Sequence, residues 1–256
     1  MEESKELATI ESGSWGAAAG SDSEDLIIGK ALIMQHQSPQ VMKKEAEDGE
    51  FRNSLDMGLI GKTFQAIIFG QDKVWIEFEG TAANAMNWKR TFAHGDDNRK
   101  LAWEEQQNGL FIERQKALNF YLLIADENFK TNLPLVARMK GKSYQTGRRL
   151  TTEFAKLRGM NKPSASIVVE FSAKEVREDK FIFYVWDYKI VREATKEELL
   201  TAYKWYKLLN SASTKVTIDE SEEEGAKRTA TATAAAAETV MPAGKRQEGD
   251  DDEIPF

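Results

Sequence analysis

The stretch from Arg138 to Lys162, RMKGKSYQTGRRLTTEFAKLRGMNK, carries eight bases and a single acid, Glu153. The bases are Arg138, Lys140, Lys142, Arg148, Arg149, Lys156, Arg158 and Lys162, and Tyr144 sits among them. Binding a single nucleic-acid strand without regard to sequence needs cations that track phosphates and aromatic faces on which bases stack. This stretch offers both. At helical spacing Arg149, Thr152 and Lys156 share one face, opposite Leu150, Phe154 and Leu157. Such a face is either a phosphate-binding surface or an ordinary solvated one. The scarcity of acids favours the first. A second group, Trp88, Lys89, Arg90, Phe92 and Trp103, lies in a long polar stretch. Its rings either stack on bases or pin the stretch to the core. Trp75, on the polar phase of its strand, is either a stacking platform or a ring covered by the last helix.

Other chemistry finds little support. The chain has no cysteine, which excludes a disulfide framework, a thiolate zinc site and a cysteine nucleophile. His36 and His94 read as structural or solvated, and nothing fixes His94, Asp96 and Asp97 into a metal-binding geometry. Gly141-Lys142-Ser143 is a fragment of a phosphate-binding loop whose first glycine position is taken by Val136. Glu170 and Lys174 weakly suggest part of a nuclease metal site, but no second carboxylate motif accompanies them. No catalytic residue, metal or cofactor is therefore assigned, and a non-enzymatic protein is expected.

The formal net charge of −7 hides a division along the chain. Residues 1–25 hold one base against seven acids, and residues 217–256 hold four against eleven. That leaves 30 bases against 24 acids between them. A basic body between acidic ends points to an anionic ligand. No apolar run approaches the roughly 18 residues that span a bilayer, and the opening MEESKE is not a secretory signal. No membrane association is expected. The bacterial cytoplasm or nucleoid, of a phage-infected host or otherwise, is the expected location.

The elements that position these residues follow from periodicity. Residues 26–34 read as a first strand, and a short helix is expected around 41–47. Strands 64–69 and 73–78 flank Gly70-Gln71-Asp72, which reads as a hairpin turn. Residues 80–109 read as a long polar connection. Further strands are expected at 110–113, 117–125, 133–139, 166–171 and 180–191. One helix is expected from Thr146 to Arg158, with Gly159 as its stop. Another starts at Thr195, where Thr195 and Glu198 make a capping box and Leu199, Tyr203, Tyr206 and Leu209 mark a buried stripe. The whole is β-rich (α+β). It suits an OB-fold-like Greek-key barrel with insertions and a C-terminal helix, with a β-sandwich bearing appended helices as the competing architecture. Residues 26–210 form the expected binding domain. Residues 1–25 are too poor in apolar residues to fold alone and are expected to be disordered, and residues 211–249, whose Ala run has no amphipathic face, read as a flexible linker.

The sequence ends Gly249-Asp250-Asp251-Asp252-Glu253-Ile254-Pro255-Phe256. Two large apolar groups beyond a run of acids make a portable ligand: Phe256 and Ile254 fit an apolar pocket on a partner, while the acids steer the approach. Pro255 stiffens the segment and lowers the ordering cost. This ending resembles the tail of bacterial single-stranded DNA-binding proteins, Asp-Asp-Asp-Ile-Pro-Phe, with Glu253 inserted. The longer body is more similar to the divergent single-stranded DNA-binding proteins of bacteriophages. The resemblance implies a body that coats single strands during DNA replication, recombination and repair. It also implies that Asp250, Asp251, Asp252, Glu253, Ile254, Pro255 and Phe256 recruit proteins such as polymerase, helicase or primase. Homo-oligomerisation stays open. The alternatives are a strand-annealing or recombination-mediator protein, and a nuclease that mimics the tail.

Overall fold

A computed structural model describes residues 26–80, 87–93, 104–107, 110–129, 132–178, 181–210 and 217–220. The expectations for residues 1–25, for Trp103, for His94 with Asp96 and Asp97, and for the tail at 250–256 lie outside them. In chain order the strands are β1 (Ile27–Ile33), β2 (Phe51–Asn53), β3 (Leu59–Gly61), β4 (Thr63–Gly80), β5 (Asn87–Ala93), β6 (Glu104–Gln107), β7 (Leu110–Ile124), β8 (Leu135–Lys140), β9 (Ile167–Glu178), β10 (Phe181–Glu193) and β11 (Thr217–Ile218). The helices are α1 (Pro39–Met42), α2 (Tyr144–Gly159) and α3 (Lys196–Leu209).

The strands join one mixed sheet in the order β10-β9-β4-β7-β8-β1-β2-β3, with β5 on β4, β6 on β7 and β11 on β1. β1 runs parallel to both β8 and β11. The sheet curls so that its far ends meet across an aromatic core. Trp186 of β10 lies 4.9 Å from Phe51 of β2 and 5.4 Å from Phe171 of β9, ring centre to ring centre. Leu150 and Phe154 of α2 close that core, with Phe154 6.2 Å from Phe120. Side chains bridge the remaining seam. Gln35 donates to the Tyr184 carbonyl and accepts from the Tyr184 amide at 2.9 and 2.8 Å, and Ser143 Oγ accepts from the Trp186 amide at 3.1 Å. The fold is thus a β-rich, mixed open sheet with a few helices, compatible with a barrel-like arrangement. A second apolar cluster, Ile67, Phe69, Leu123 and Val168, packs under Ala202, Trp205 and Leu209 of α3. Among the described residues no helix is long and apolar enough to cross a membrane.

Several elements differ from expectation. Gly70–Asp72 is not a turn, because β4 runs straight through it. The register against β7 slips between Ile68 and Gly70. This bulge reverses which face each side chain takes. Before it Phe64, Ala66 and Ile68 face the main core, and after it Val74, Ile76 and Phe78 form a separate cluster with Ala117. Tyr121 fixes the spot. Its hydroxyl donates to Asp72 at 2.9 Å, and its ring lies 3.4 Å from where a Cβ on Gly70 would sit. The expected break at 114–116 is likewise absent, since β7 continues opposite β4.

The long polar connection contains β5 and β6, which extend β4 and β7 as hairpin arms. Charges on both phases of these strands obscure the alternation, yet buried Glu77 is compensated by Arg90 at 3.0 Å and Arg114 at 2.7 Å. α1 is one turn, entered at Ser38-Pro39 and ended where Lys44 takes a positive φ of 62°. α2 starts at Tyr144, two residues early, because a 3₁₀ turn over Gly141–Ser143 leads into it. The α3 capping box forms as expected, but only Leu199 and Leu209 of the expected stripe pack inward. Tyr203 is 57% exposed and Tyr206 also faces solvent, while Glu198, Ala202 and Trp205 turn inward. The stretch expected as a linker from 211 carries β11, whose Asp219 amide bonds the Ile28 carbonyl at 2.9 Å.

Candidate nucleic-acid interface

A groove of about 730 Å³ follows the seam between the β1–β8 side of the sheet and β10. One wall carries the bases Lys30, Arg138, Lys140 and Lys142, and the other the rings of Phe181 and Tyr184. Strand alternation explains the basic wall: Ala137 and Met139 point into the core, so Arg138 and Lys140 emerge on the opposite face. Gly141, at φ 54°, then turns the chain so that Lys142 stands at the groove's end in solvent, 2.8 Å from Glu178. Lys140 sits 5.4 Å from the Phe78 ring, a cation–π geometry. At the tip of the β9–β10 hairpin Phe181 is 63% exposed, with Ile182 exposed beside it. Trp186 forms the groove floor and belongs to the core.

A polar row, buried at Asn119 and Arg138, crosses the sheet and reaches the groove at Arg138. Asp72, Asn119 and Arg138 face each other on β4, β7 and β8. Burial pushes the Asp72 carboxyl above the usual carboxylate range despite the hydrogen bond from Tyr121. The same burial, with Asp72 beside it, raises Tyr121. Arg138 Nε donates to Asn119 Oδ1 at 2.9 Å, and its Nη1 and Nη2 donate to the two carboxylate oxygens of Glu220 at 2.6 and 2.7 Å. Lys30 Nζ is 3.3 Å from the same carboxylate.

The structure therefore divides the basic stretch. Arg138, Lys140 and Lys142 come together in the groove. Tyr144 packs half-buried against the core, where burial raises its hydroxyl pKa. Arg148, Arg149, Lys156 and Arg158 lie on α2 and do not line the groove. Arg149 lies 3.8 Å from Asp187, and Lys156 2.9 Å from Glu153. The second group sits on the β5 arm. There Lys89 pairs with Glu79 at 2.9 Å, and Arg90 lies against Glu77 and 5.0 Å from the Phe92 ring. Burial would raise Glu77, but hydrogen bonds from Arg90 and Arg114 outweigh it and hold the carboxyl low. Trp103 and the side chain of Trp88 lie outside the described residues. Trp75 is buried beneath the Lys116 ammonium, 5.1 Å from its ring, and is not an open platform. Sequence reasoning missed Lys30, Phe181 and Tyr184. The signal present was ambiguous: FIFYVW is apolar on both strand phases, as a strand buried on both faces also is. Among the described residues no group of three or more His, Asp or Glu side chains is arranged to hold a metal.

No curated protein and no solved structure matches the chain. The family described as Pam3 phage gp34-like protein matches residues 4–215. That span takes in every element from β1 to α3, including the groove walls. The chain thus belongs to the Pam3 phage gp34-like protein family.

Proposed function

We propose that this chain is a non-enzymatic single-stranded DNA-binding protein whose body, residues 26–210, holds the strand in the groove between β8 and β10. One observation carries the reading: a row of bases faces the exposed Phe181 ring and the half-buried Tyr184 across an open groove, the pairing that sequence-independent single-strand binding requires. Connectivity supports it. The strands β4, β7, β8, then α2, then β9 and β10 lie in the spatial order β10-β9-β4-β7-β8. An OB-fold has this path, with its helix between the third and fourth strands, and binds oligonucleotides on strands two and three and the loop between strands four and five. Here those parts are β7, β8 and the β9–β10 hairpin, which line the groove. On this reading β1 and the hairpin arms are insertions on an OB-like barrel. The acidic end, Asp250–Phe256, is the proposed docking segment for replication, recombination and repair proteins. Filter binding with oligo-dT, duplex DNA and RNA tests the proposal. Oligo-dT should bind most tightly, with a log–log salt slope of roughly −0.7 per neutralised phosphate. Equal affinity for duplex, or divalent-metal-dependent cleavage of the strand, would overturn it.

A further inference from the structure

We infer that Lys30 and Arg138 form a phosphate site within the groove that Glu220 holds closed, so that the Glu220 carboxylate and a phosphodiester of the bound strand occupy it in exchange. The inference rests on the proposed single-strand binding. Lys30 is 2% exposed and Arg138 7%. Cations this deeply buried need a counter-ion at all times, since removing one partner of a buried pair leaves an uncompensated charge. Glu220 supplies it. One carboxylate spans Nη1 and Nη2 of Arg138 and also reaches Lys30. With Nε on Asn119, every guanidinium nitrogen is engaged, so a phosphate cannot take the bidentate face of Arg138 until Glu220 leaves. The guanidinium fork fits carboxylate and phosphate alike.

Position and anchoring both point to exchange rather than a permanent clamp. Arg138 and Lys140 share one face of β8, two residues or about 6.6 Å apart along the strand. A strand laid along Lys142 and Lys140 therefore reaches Arg138 next. Glu220 is held by β11, which is only two residues long. Its flanking backbone bonds are Thr217 N–H to the Leu26 carbonyl at 3.1 Å and Asp219 N–H to the Ile28 carbonyl at 2.9 Å. Thr217 is exposed and Ile218 only half-buried, and neither belongs to a core cluster. Releasing this strand leaves the core packing intact. Asp219 and Glu220 also open an acidic run, Glu222-Glu223-Glu224, whose repulsion from an incoming phosphate backbone favours departure.

The test uses the full chain, as wild type and as E220Q, with two readouts: oligo-dT affinity by fluorescence anisotropy at low salt, and amide hydrogen exchange at Thr217 and Asp219 with and without oligo-dT. E220Q should bind several-fold more tightly than wild type, and oligo-dT should speed exchange at both amides in the wild-type chain. If oligo-dT binds both proteins equally and leaves the two amides protected, Glu220 is a structural clamp; the exchange is overturned and the groove reading stands. Tighter binding by E220Q without faster exchange is plain charge removal and also overturns it. If oligo-dT binds neither protein, the groove reading itself falls and takes the exchange with it. Should E220Q fail to fold, the wild-type exchange measurement decides alone.

Discussion

At the scale of single residues, the groove separates the proposed strand contacts from residues that merely carry charge. Phe181 is the sharpest case. It is large, apolar, 63% exposed and set at a hairpin tip beside the bases, so truncating it removes a stacking face without opening a cavity. Phe181→Ala should therefore cost about 1–3 kcal/mol of oligo-dT affinity while the melting temperature stays put; full affinity in that variant removes the ring from the interface. Lys140→Ala with Lys142→Ala should flatten the log–log salt slope by about 0.7 for each phosphate that the pair neutralises. Arg148→Ala with Arg149→Ala is the internal comparison, measured in the same titration. A flattening as large as that of the groove pair would extend the interface onto α2. The cations of β8 were legible in the sequence because Arg138 and Lys140 alternate with Ala137 and Met139. Phe181 was not, because apolar residues on both strand phases look like a fully buried strand. The partner of Arg138 was also out of reach: Glu220 lies 82 residues away along the chain, and no local pattern pairs the two.

Elements were legible where their signal is local and obscure where a partner strand decides. The capping box at Thr195 and Glu198 forms as the spacing implies, because both halves of the motif sit within one turn. The bulge at Ile68–Gly70 does not announce itself, since it exists only as a slip against β7. The β5 and β6 arms are hidden for the same reason: charges on β5 pair across strands with Glu77 and Glu79. The face α3 buries follows from Glu198, whose carboxylate takes both Nη atoms of Arg192 at 2.8 and 2.7 Å and so turns the helix. The Arg192 hydrogen bonds, helped by those from Thr195, outweigh burial and hold the Glu198 carboxyl at about 2, down from the ordinary 4.5. A carboxyl depressed on folding contributes its full stability above the unfolded value and loses it as pH falls through the folded one. Wild-type stability should thus decline between about pH 4.5 and pH 2. Glu198→Gln should be less stable at neutral pH and decline less steeply over that window, as read from urea midpoints along a pH series. Parallel acid limbs for the two proteins would show that this pair adds nothing to the pH dependence.

At the scale of the whole molecule, charge is split between a basic body and an acidic end. The segment 26–216 carries 30 bases against 24 acids, while 217–256 carries four against eleven. That division was plain in the sequence, whereas the groove that concentrates the bases required β1, β8 and β10 to meet, a matter of topology that composition does not encode. A tethered acidic segment samples a basic groove at high effective concentration, and it does so most strongly where salt screens least. Removing Gly249–Phe256 should therefore raise oligo-dT affinity at low salt, with the gain fading as ionic strength rises, while the body keeps its melting temperature. The same truncation should abolish capture of replication proteins. Deleting Phe256 alone separates the two roles: docking in an apolar pocket needs the ring, whereas competition for the groove needs the acids, so that variant should lose partners yet keep wild-type affinity for the strand. Affinity that rises on loss of Phe256 alone would mean that the ring itself occupies the groove. If the truncated chain binds oligo-dT no better at low salt and still captures the same proteins, then neither role belongs to this end.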